Sequence, residues 1–131
     1  MAHKYLEDLG IPFEKIPEGW NLDDSRQEKW KKEKEIYGFD ERDTWSLDYG
    51  LKLWLYERLS MYNEINRIDT SFHKFEYKGK MLTEQDCIDK MLTGLKYSLL
   101  YDWYEDEYEK HKEEIDDIFP ILAICHYVLW W

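Results

Sequence analysis

The chain is 131 residues long, with 29 acidic and 18 basic side chains and a formal net charge of -11. Such a charge keeps a protein soluble and repels phosphates, so it excludes direct binding of nucleic acid or anionic membranes without a local basic stripe. Hydrophobic residues supply 44% of the sequence and aromatic residues 18%, which excludes a disordered chain. The sequence therefore predicts one compact domain over residues 1–131.

The cysteines and the amino terminus indicate a reducing compartment. Cys87 and Cys125 stand in apolar surroundings without a CxxC pattern, so we expect buried, reduced thiols and no zinc site. The first residues lack the basic and apolar regions of a secretory signal, and the longest apolar run, 118–131, is too short and interrupted to span a bilayer. We expect a cytoplasmic protein without a cofactor or a membrane contact.

Glycine, proline and capping residues divide the first third of the chain. Two glycines and two prolines fall within residues 1–22, which predicts a mostly irregular arm with one helical turn near residues 4–9. Asp23, Asp24 and Ser25 offer an N-cap with an acidic first turn, and Gly38 offers a stop. These signals predict a first helix over residues 24–37.

The clearest helical pattern begins near Asp43, which is predicted to be the N-cap of a second helix. Apolar residues then recur mostly at intervals of three and four: Leu47, Leu51, Trp54, Leu55, Leu59 and Tyr62. This stripe predicts a helix that continues to about Asn66 and buries one face. Gly50 inside it would cost about 1 kcal/mol relative to alanine, so we expect another element to approach closely there.

Residues 72–82 partly alternate between apolar and polar side chains around Lys78-Gly79, which predicts a small β-hairpin. Thr83 with acidic residues after it is typical of a helix N-terminus. An apolar stripe from Ile88 to Leu99 then predicts a third helix.

The densest charge lies in residues 101–117, which we name the acidic segment. Its tyrosines and His111 continue the apolar stripe, so it is predicted to be the second half of a long helix, or a separate helix after a kink near Trp103. The tyrosines would then face the domain, while seven carboxylates would face outward: Asp102, Glu105, Asp106, Glu109, Glu113, Asp116 and Asp117. Pro120 is tolerated at the start of a helix, which predicts a last, buried helix over 121–131.

Together these elements predict an all-α or nearly all-α fold, a compact bundle of about four main helices with a small β-hairpin near residues 72–82. A two-stranded hairpin is marginal by itself, so it must pack on the helices.

Three segments resemble a family of small bacteriophage and prophage proteins. They are Asp43-Thr44-Trp45-Ser46-Leu47-Asp48, Ile88-Asp89-Lys90-Met91 and Tyr127-Val128-Leu129-Trp130-Trp131. Members of that family share an aspartate-Thr/Leu-Trp-Ser-Leu-Asp helix start and an aromatic helix ending in Leu-Trp, and the resemblance covers about residues 37–131. It implies a phage setting, where small acidic proteins often bind host factors, and it implies no active-site residues.

The favoured functional hypothesis is a non-enzymatic protein that binds and modulates a host protein with a basic surface. Carboxylates in a row can occupy a groove built for phosphates, and their charge steers a basic partner into contact. The seven carboxylates of the acidic segment are the predicted partner-binding surface, as in an inhibitor that mimics nucleic-acid charge. The opposing interpretation is that they only solvate a helix.

Two other hypotheses stay open. A mixed basic and aromatic patch near the second helix would bind a nucleotide-like ligand through Arg42, Trp45, Trp54 and Arg58. Glu107, His111 and Glu114 would supply ligands in a metal-dependent enzyme, although no HExxH or repeated Glu-x-x-His pattern accompanies them. The oligomeric state is open, and the Trp130-Trp131 pair, if exposed, would join a self-association surface.

Overall fold

The computed structural model describes residues 3–65 and 73–129. Its helices and strands, in chain order, are α1 (Lys4–Leu9), α2 (Gln27–Tyr37), α3 (Leu47–Ile65), β1 (Lys74–Tyr77), β2 (Lys80–Thr83), α4 (Glu84–Leu100), α5 (Asp106–Lys110) and α6 (Lys112–Cys125). The prediction of a nearly all-α fold with one small hairpin is confirmed. Asn66, Phe72 and the Trp130-Trp131 pair lie outside the described residues. No helix within the described ranges has both the length and the apolar composition that a bilayer span requires.

Contacts within the chain form two groups, an N-terminal unit up to Leu55 and a C-terminal unit from Tyr56. In the N-terminal unit, α1 is followed by 3-10 turns at Phe13–Lys15 and Pro17–Gly19. These turns require Gly19, because a Cβ there would lie 2.0 Å from the Phe13 carbonyl oxygen. The buried apolar residues of this unit are Leu6, Ile11, Ile16, Trp30, Leu53 and Leu55.

α2 begins three residues later than predicted and ends where predicted. The Asp24 carboxylate accepts hydrogen bonds from the backbone N–H and the side chain of Arg26, at 3.0 and 2.9 Å. These bonds fix a turn before Gln27, so Asp24 does not cap the helix. Gly38 ends α2 in the left-handed region, with φ at 86°, which glycine adopts without strain.

Asp43 does not cap α3, so that prediction was wrong; it lies inside a short 3-10 turn that Asp40 caps, before α3 begins at Leu47. The Asp40 carboxylate accepts the Arg42 N–H at 2.9 Å, and the Asp43 carboxylate accepts the Asp40 N–H at 3.3 Å. This reciprocal capping box begins a 3-10 turn at Glu41–Thr44. Two carboxylates three residues apart satisfy each other's backbone, and α3 starts only afterwards, at Leu47.

The apolar stripe predicted for α3 is only partly buried. Its members Leu55 and Leu59 are buried, while Leu47, Leu51 and Trp54 are exposed. Leu53, which was not part of the predicted stripe, is also buried. The apolar residues cover a wider arc of the helix than its packing buries. The close approach expected at Gly50 is also wrong, because among the described residues an added Cβ has only an ordinary contact, 3.4 Å from the Asp43 carbonyl oxygen.

The hairpin of the C-terminal unit forms as predicted. Lys78 and Gly79 have positive φ values of 50° and 76°, which are typical of a two-residue type I′ turn. Phe75 and Leu82 pair directly across the two strands, and both side chains are buried. The hairpin therefore presents one apolar face to its unit.

α4 and α6 make the largest helix–helix contact in the described part of the C-terminal unit. Thr83 caps α4 as predicted, since its hydroxyl oxygen accepts the Asp86 N–H at 3.0 Å. Gly94 permits the close packing of α6, because an added Cβ would lie 2.3 Å from the Glu114 carbonyl oxygen. The apolar face of α4 is buried at Ile88, Met91, Leu95 and Leu99.

Both cysteines are buried and free, as predicted. Burial raises the pKa of Cys125 to about 12, and it also raises the pKa of Cys87. The thiolate is the nucleophilic form, so neither side chain is reactive near neutral pH.

The chain bends after α4. This helix ends at Leu100, and the separate helices α5 and α6 follow, so a break near Trp103 replaces one long helix. The prediction that Pro120 starts a new helix is wrong, because Pro120 lies inside α6. Proline removes the hydrogen bond to the Asp116 carbonyl, but both residues are exposed and water can solvate that oxygen.

Candidate functional site

Three tryptophans and two arginines of the N-terminal unit form the tryptophan cluster, which comprises Trp20, Trp30, Trp45, Arg26 and Arg42. The Trp45 ring is parallel to the Trp20 ring, with centroids 6.4 Å apart, and meets Trp30 edge-on at 5.7 Å. The Arg26 guanidinium lies 5.1 Å from the Trp30 centroid and 5.2 Å from the Trp45 centroid. Arg42 lies 4.4 Å from the Trp30 centroid, so this buried indole contacts two cations.

Arg42 is 4% exposed, and its charge is compensated within the fold. Its Nε and Nη2 donate to the Asp40 carboxylate at 3.0 and 2.7 Å, and Nη1 donates to the carbonyl oxygens of Glu18 and Trp20 at 3.0 and 2.9 Å. Burial raises the pKa of Asp40, but the hydrogen bonds from Arg42 outweigh it and the net pKa lies below its ordinary value. Arg42 is therefore committed to holding the N-terminal unit together.

Arg26 is paired in the same way but is more exposed. Its guanidinium donates to Asp24 at 2.9 and 2.8 Å, and this side-chain bond is the main reason that the pKa of Asp24 falls to about 2. Glu41 lies 3.9 Å from Arg26 and accepts the Trp30 Nε1–H at 2.9 Å. The indole bond is the largest cause lowering the pKa of Glu41.

The residues of the alternative ligand site are only partly gathered here. Arg42 and Trp45 belong to the tryptophan cluster, whereas Trp54 and Arg58 are exposed on α3. The sequence pattern did not assign Trp20 and Trp30 to this cluster, and no local motif connects Trp20 with a ring that follows 25 positions later in the chain. Two pairings two residues apart, Arg26 with Asp24 and Arg42 with Asp40, were local signals for this cluster.

In contrast to the tryptophan cluster, the acidic segment carries a large negative charge. It contains nine carboxylates and two lysines, a difference of seven negative charges. The predicted outward orientation holds for five of the seven carboxylates and in part for Glu105, which is half-buried. The exposed five are Asp102, Asp106, Glu109, Glu113 and Asp116. Much of the net charge of the chain therefore lies in one short stretch, where five of the nine carboxylates are exposed.

Lysines compensate this charge only in part. Lys112 binds Asp116 at 2.9 Å, and Lys78 lies 3.8 Å from Glu113. Asp106 and Glu109 have no ion-pair partner in the part of the chain that the structure describes. They lie three residues apart at the start and near the end of α5, where their side chains are neighbours on the helix surface.

Asp117 does not face outward, so that prediction was wrong. It is 8% exposed and accepts a hydrogen bond from the Tyr77 hydroxyl at 2.7 Å, while Lys78 Nζ lies 2.8 Å from the same oxygen. Burial raises the pKa of Asp117, but the bonds from Lys78 and Tyr77 outweigh it and the net pKa is lowered. This carboxylate therefore ties α6 to the hairpin.

Residues 102–105 form a tight turn that we name the aromatic turn. The Glu105 N–H donates to the Asp102 carbonyl oxygen at 2.9 Å, and the Asp102 N–H donates to the Glu105 carboxylate at 2.6 Å. Trp103 and Tyr104 lie in the middle of the turn and are 77% and 69% exposed. The prediction that Tyr104 faces the domain is wrong, because the chain is not helical at this position.

The residues of the metal hypothesis have other partners. His111 stacks on Tyr97, with ring centroids 3.5 Å apart, and its Nδ1 lies 4.0 Å from Glu114. Glu107 pairs with Lys110 at 3.1 Å. Over residues 3–65 and 73–129, no three His, Cys, Asp or Glu side chains are grouped as metal ligands require.

Comparisons with family models, curated proteins and solved structures found no match to this chain.

Proposed function

We propose that the protein is a non-enzymatic binding protein whose acidic segment contacts a basic surface on a partner protein. The observation that carries the proposal is the display of Asp106, Glu109 and their exposed neighbours with only partial compensation by lysine. Such a surface attracts a positive patch over several ångströms and accelerates association with it. Buried ion pairs elsewhere in the chain lack this reach because their charges are already neutralised.

The mechanism that we favour is mimicry of nucleic-acid charge. A protein groove lined with lysine and arginine binds phosphates mainly through charge, so carboxylates on α5 and α6 can compete for it. Modulation then follows from occupying the groove. A duplex DNA competitor should displace the protein from such a partner, whereas a partner that holds DNA and the acidic segment simultaneously would contradict mimicry.

The proposed setting is the cytoplasm of a bacteriophage host. This part of the proposal is supported by the three sequence segments that resemble phage and prophage proteins, and by the acidic character that such proteins often share. Genes beside this one would test it, since replication, virion or counter-defence neighbours would each indicate a different partner.

The central experiment compares two variants of equal charge. The first neutralises the acidic segment with Glu105→Gln, Asp106→Asn, Glu109→Gln, Glu113→Gln and Asp116→Asn. The control neutralises five exposed carboxylates elsewhere with Glu7→Gln, Glu28→Gln, Glu35→Gln, Asp48→Asn and Glu76→Gln. Immobilised proteins are then used to capture partners from a host lysate in about 0.1 M and about 0.5 M salt.

We expect a partner that the wild type and the control both capture in low salt, and that the acidic-segment variant captures about tenfold less. High salt should release it, because screening shortens the reach of the charges. Equal capture by the two variants would overturn the proposal, since net charge alone would then explain binding.

A second candidate function has one observation in its favour. Trp45 is partly exposed, parallel to Trp20, and close to the Arg26 guanidinium, an arrangement that suits a planar anionic ligand such as a nucleotide. Tryptophan fluorescence titrated with nucleotides tests it. Quenching that disappears in Trp45→Ala but persists in Trp103→Ala would support a ligand module, and the absence of saturable quenching would reject it.

A further inference from the structure

We infer that Trp103 and Tyr104 form a docking surface for arginine side chains in an extended basic segment of the partner protein. This inference rests on the proposed function and names the chemistry that the partner presents. It adds two aromatic residues to a surface that the proposed function assigns to carboxylates alone.

The first observation is the exposure of two adjacent large rings. Trp103 and Tyr104 are 77% and 69% exposed, and their rings meet edge-on with centroids 5.8 Å apart. Exposed tryptophan and tyrosine rings forgo the free energy that burial of their apolar surface would give. Both residues are enriched at the centres of protein interfaces. An exposed pair on a single turn is a larger apolar feature than a lone surface residue.

The second observation is that the turn and the Tyr104 ring are held in place before any partner arrives. The Tyr104 hydroxyl donates to the Asp102 carboxylate at 3.1 Å. One backbone bond, and one bond from the Asp102 N–H to the Glu105 carboxylate, close the turn. Preorganised side chains lose less conformational freedom on binding, so more of the contact energy appears as affinity.

The charge around the rings selects the occupant. The faces of indole and phenol rings carry negative potential, and the turn lies at the start of a segment with seven excess negative charges. A cation is therefore favoured over an anion or a neutral apolar group. Nucleic acid and an anionic membrane are disfavoured by the same charge.

Arginine fits this surface better than lysine does. Its planar guanidinium stacks on aromatic faces and still donates from its edge to carboxylates such as Asp106, and it is more weakly hydrated than an ammonium group. Lysine gains the general attraction to the acidic segment but little from the rings. Discrimination between the two cations is thus a property of the aromatic turn and not of the charge.

The test uses the full chain and two synthetic peptides of equal length and charge, one with arginine and the other with lysine at every basic position. Affinities are measured by titration calorimetry in about 0.05 M salt for the wild type, a Trp103→Ala/Tyr104→Ala variant and a Tyr37→Ala control. Tyr37 is a similarly exposed aromatic residue of the N-terminal unit. Circular dichroism verifies that each variant is folded.

We expect the wild type and Tyr37→Ala to prefer the arginine peptide by about fivefold, and the double variant to bind both peptides equally. Equal affinity of the wild type for both peptides would overturn the inference and leave the proposed function intact. If both peptides fail to bind the wild type and the variants, that result would count against the proposed function itself. Concentration-dependent dimers that vanish in the double variant would overturn the inference in favour of a second copy as the occupant.

Discussion

The tryptophan cluster and the acidic segment use the same kinds of side chain, carboxylates and aromatic rings, with opposite results. Around Trp30 the carboxylates of Asp24, Asp40 and Glu41 each have an arginine, lysine or indole partner, and their pKa values are lowered. In the acidic segment, carboxylates on α5 remain exposed and the rings of the aromatic turn stand in water. Charge that is paired stabilises the fold, whereas charge that is displayed is available to a partner.

Removal of the central cation should have the largest effect. Arg42→Ala removes the hydrogen bonds to buried Asp40, leaving only Lys34 at 4.0 Å, and leaves two carbonyl oxygens without a donor. We therefore expect a loss of about 3–5 kcal/mol in the free energy of unfolding. Urea denaturation measures it, with Lys32→Ala on the exposed side of α2 as the control, expected within about 0.5 kcal/mol of wild type. A loss below about 1 kcal/mol for Arg42→Ala would show that the cluster does not stabilise the fold.

The stability costs of changing Asp116 and Asp117 distinguish an exposed carboxylate from a paired, buried one. Asp116 and Asp117 are adjacent, but only Asp117 is buried and bonded to the hairpin. Asp117→Asn should cost about 1–3 kcal/mol, because a charge-assisted bond to Lys78 is lost. Asp116→Asn should cost about 0.5 kcal/mol or less, as expected for an exposed pair with Lys112. Equal costs in urea denaturation would erase the distinction between the two residues.

The lowered pKa of Asp117 also predicts how the free energy of unfolding changes as the pH falls. The pKa of Asp117 is lower in the folded protein than in the unfolded chain, so its contribution to stability is present above the unfolded pKa, about 4. This contribution is lost as the pH falls through the lower, folded value. Wild type should therefore lose more stability than Asp117→Asn between about pH 5 and pH 2, while parallel curves would contradict the lowered pKa.

Fivefold neutralisation of the acidic segment is expected to change stability only slightly. Its carboxylates contribute more repulsion than pairing, so the free energy of unfolding should stay within about 1 kcal/mol of wild type or rise slightly. Added salt should stabilise the wild type more than the variant, since screening relieves repulsion that the variant lacks. A large destabilisation would show that these carboxylates stabilise the fold, as those of the tryptophan cluster do.

Local signals were sufficient for much of the fold. Thr83 with its following acids, the Lys78-Gly79 turn and Gly38 after α2 each specify a conformation through neighbours within four residues. The nearly all-α class followed from such signals together with the apolar periodicity of α4. The cap before α3 was misplaced because Asp40 and Asp43 are both good caps, and only their reciprocal bonding decides between them.

Non-local contacts account for the parts of the site that the sequence did not reveal. Asp117 is buried by Tyr77, which precedes it by 40 residues, so an acidic run gave no sign of its different role. Tyr104 was assigned to a helical stripe, but the chain leaves the helix after Leu100. Outward placement of Asp106 and Glu109 followed from periodicity, while their role as a binding surface stays a prediction.

The exposure of Trp103 also makes it an optical reporter of its own surroundings. Caesium and iodide ions both quench an indole by collision, yet the negative potential near the aromatic turn concentrates the cation and repels the anion. The difference in fluorescence between wild type and Trp103→Phe isolates this ring from the buried Trp30. A partner that covers the turn would shield the Trp103 part of the emission from both quenchers, which allows docking to be followed in real time without a label.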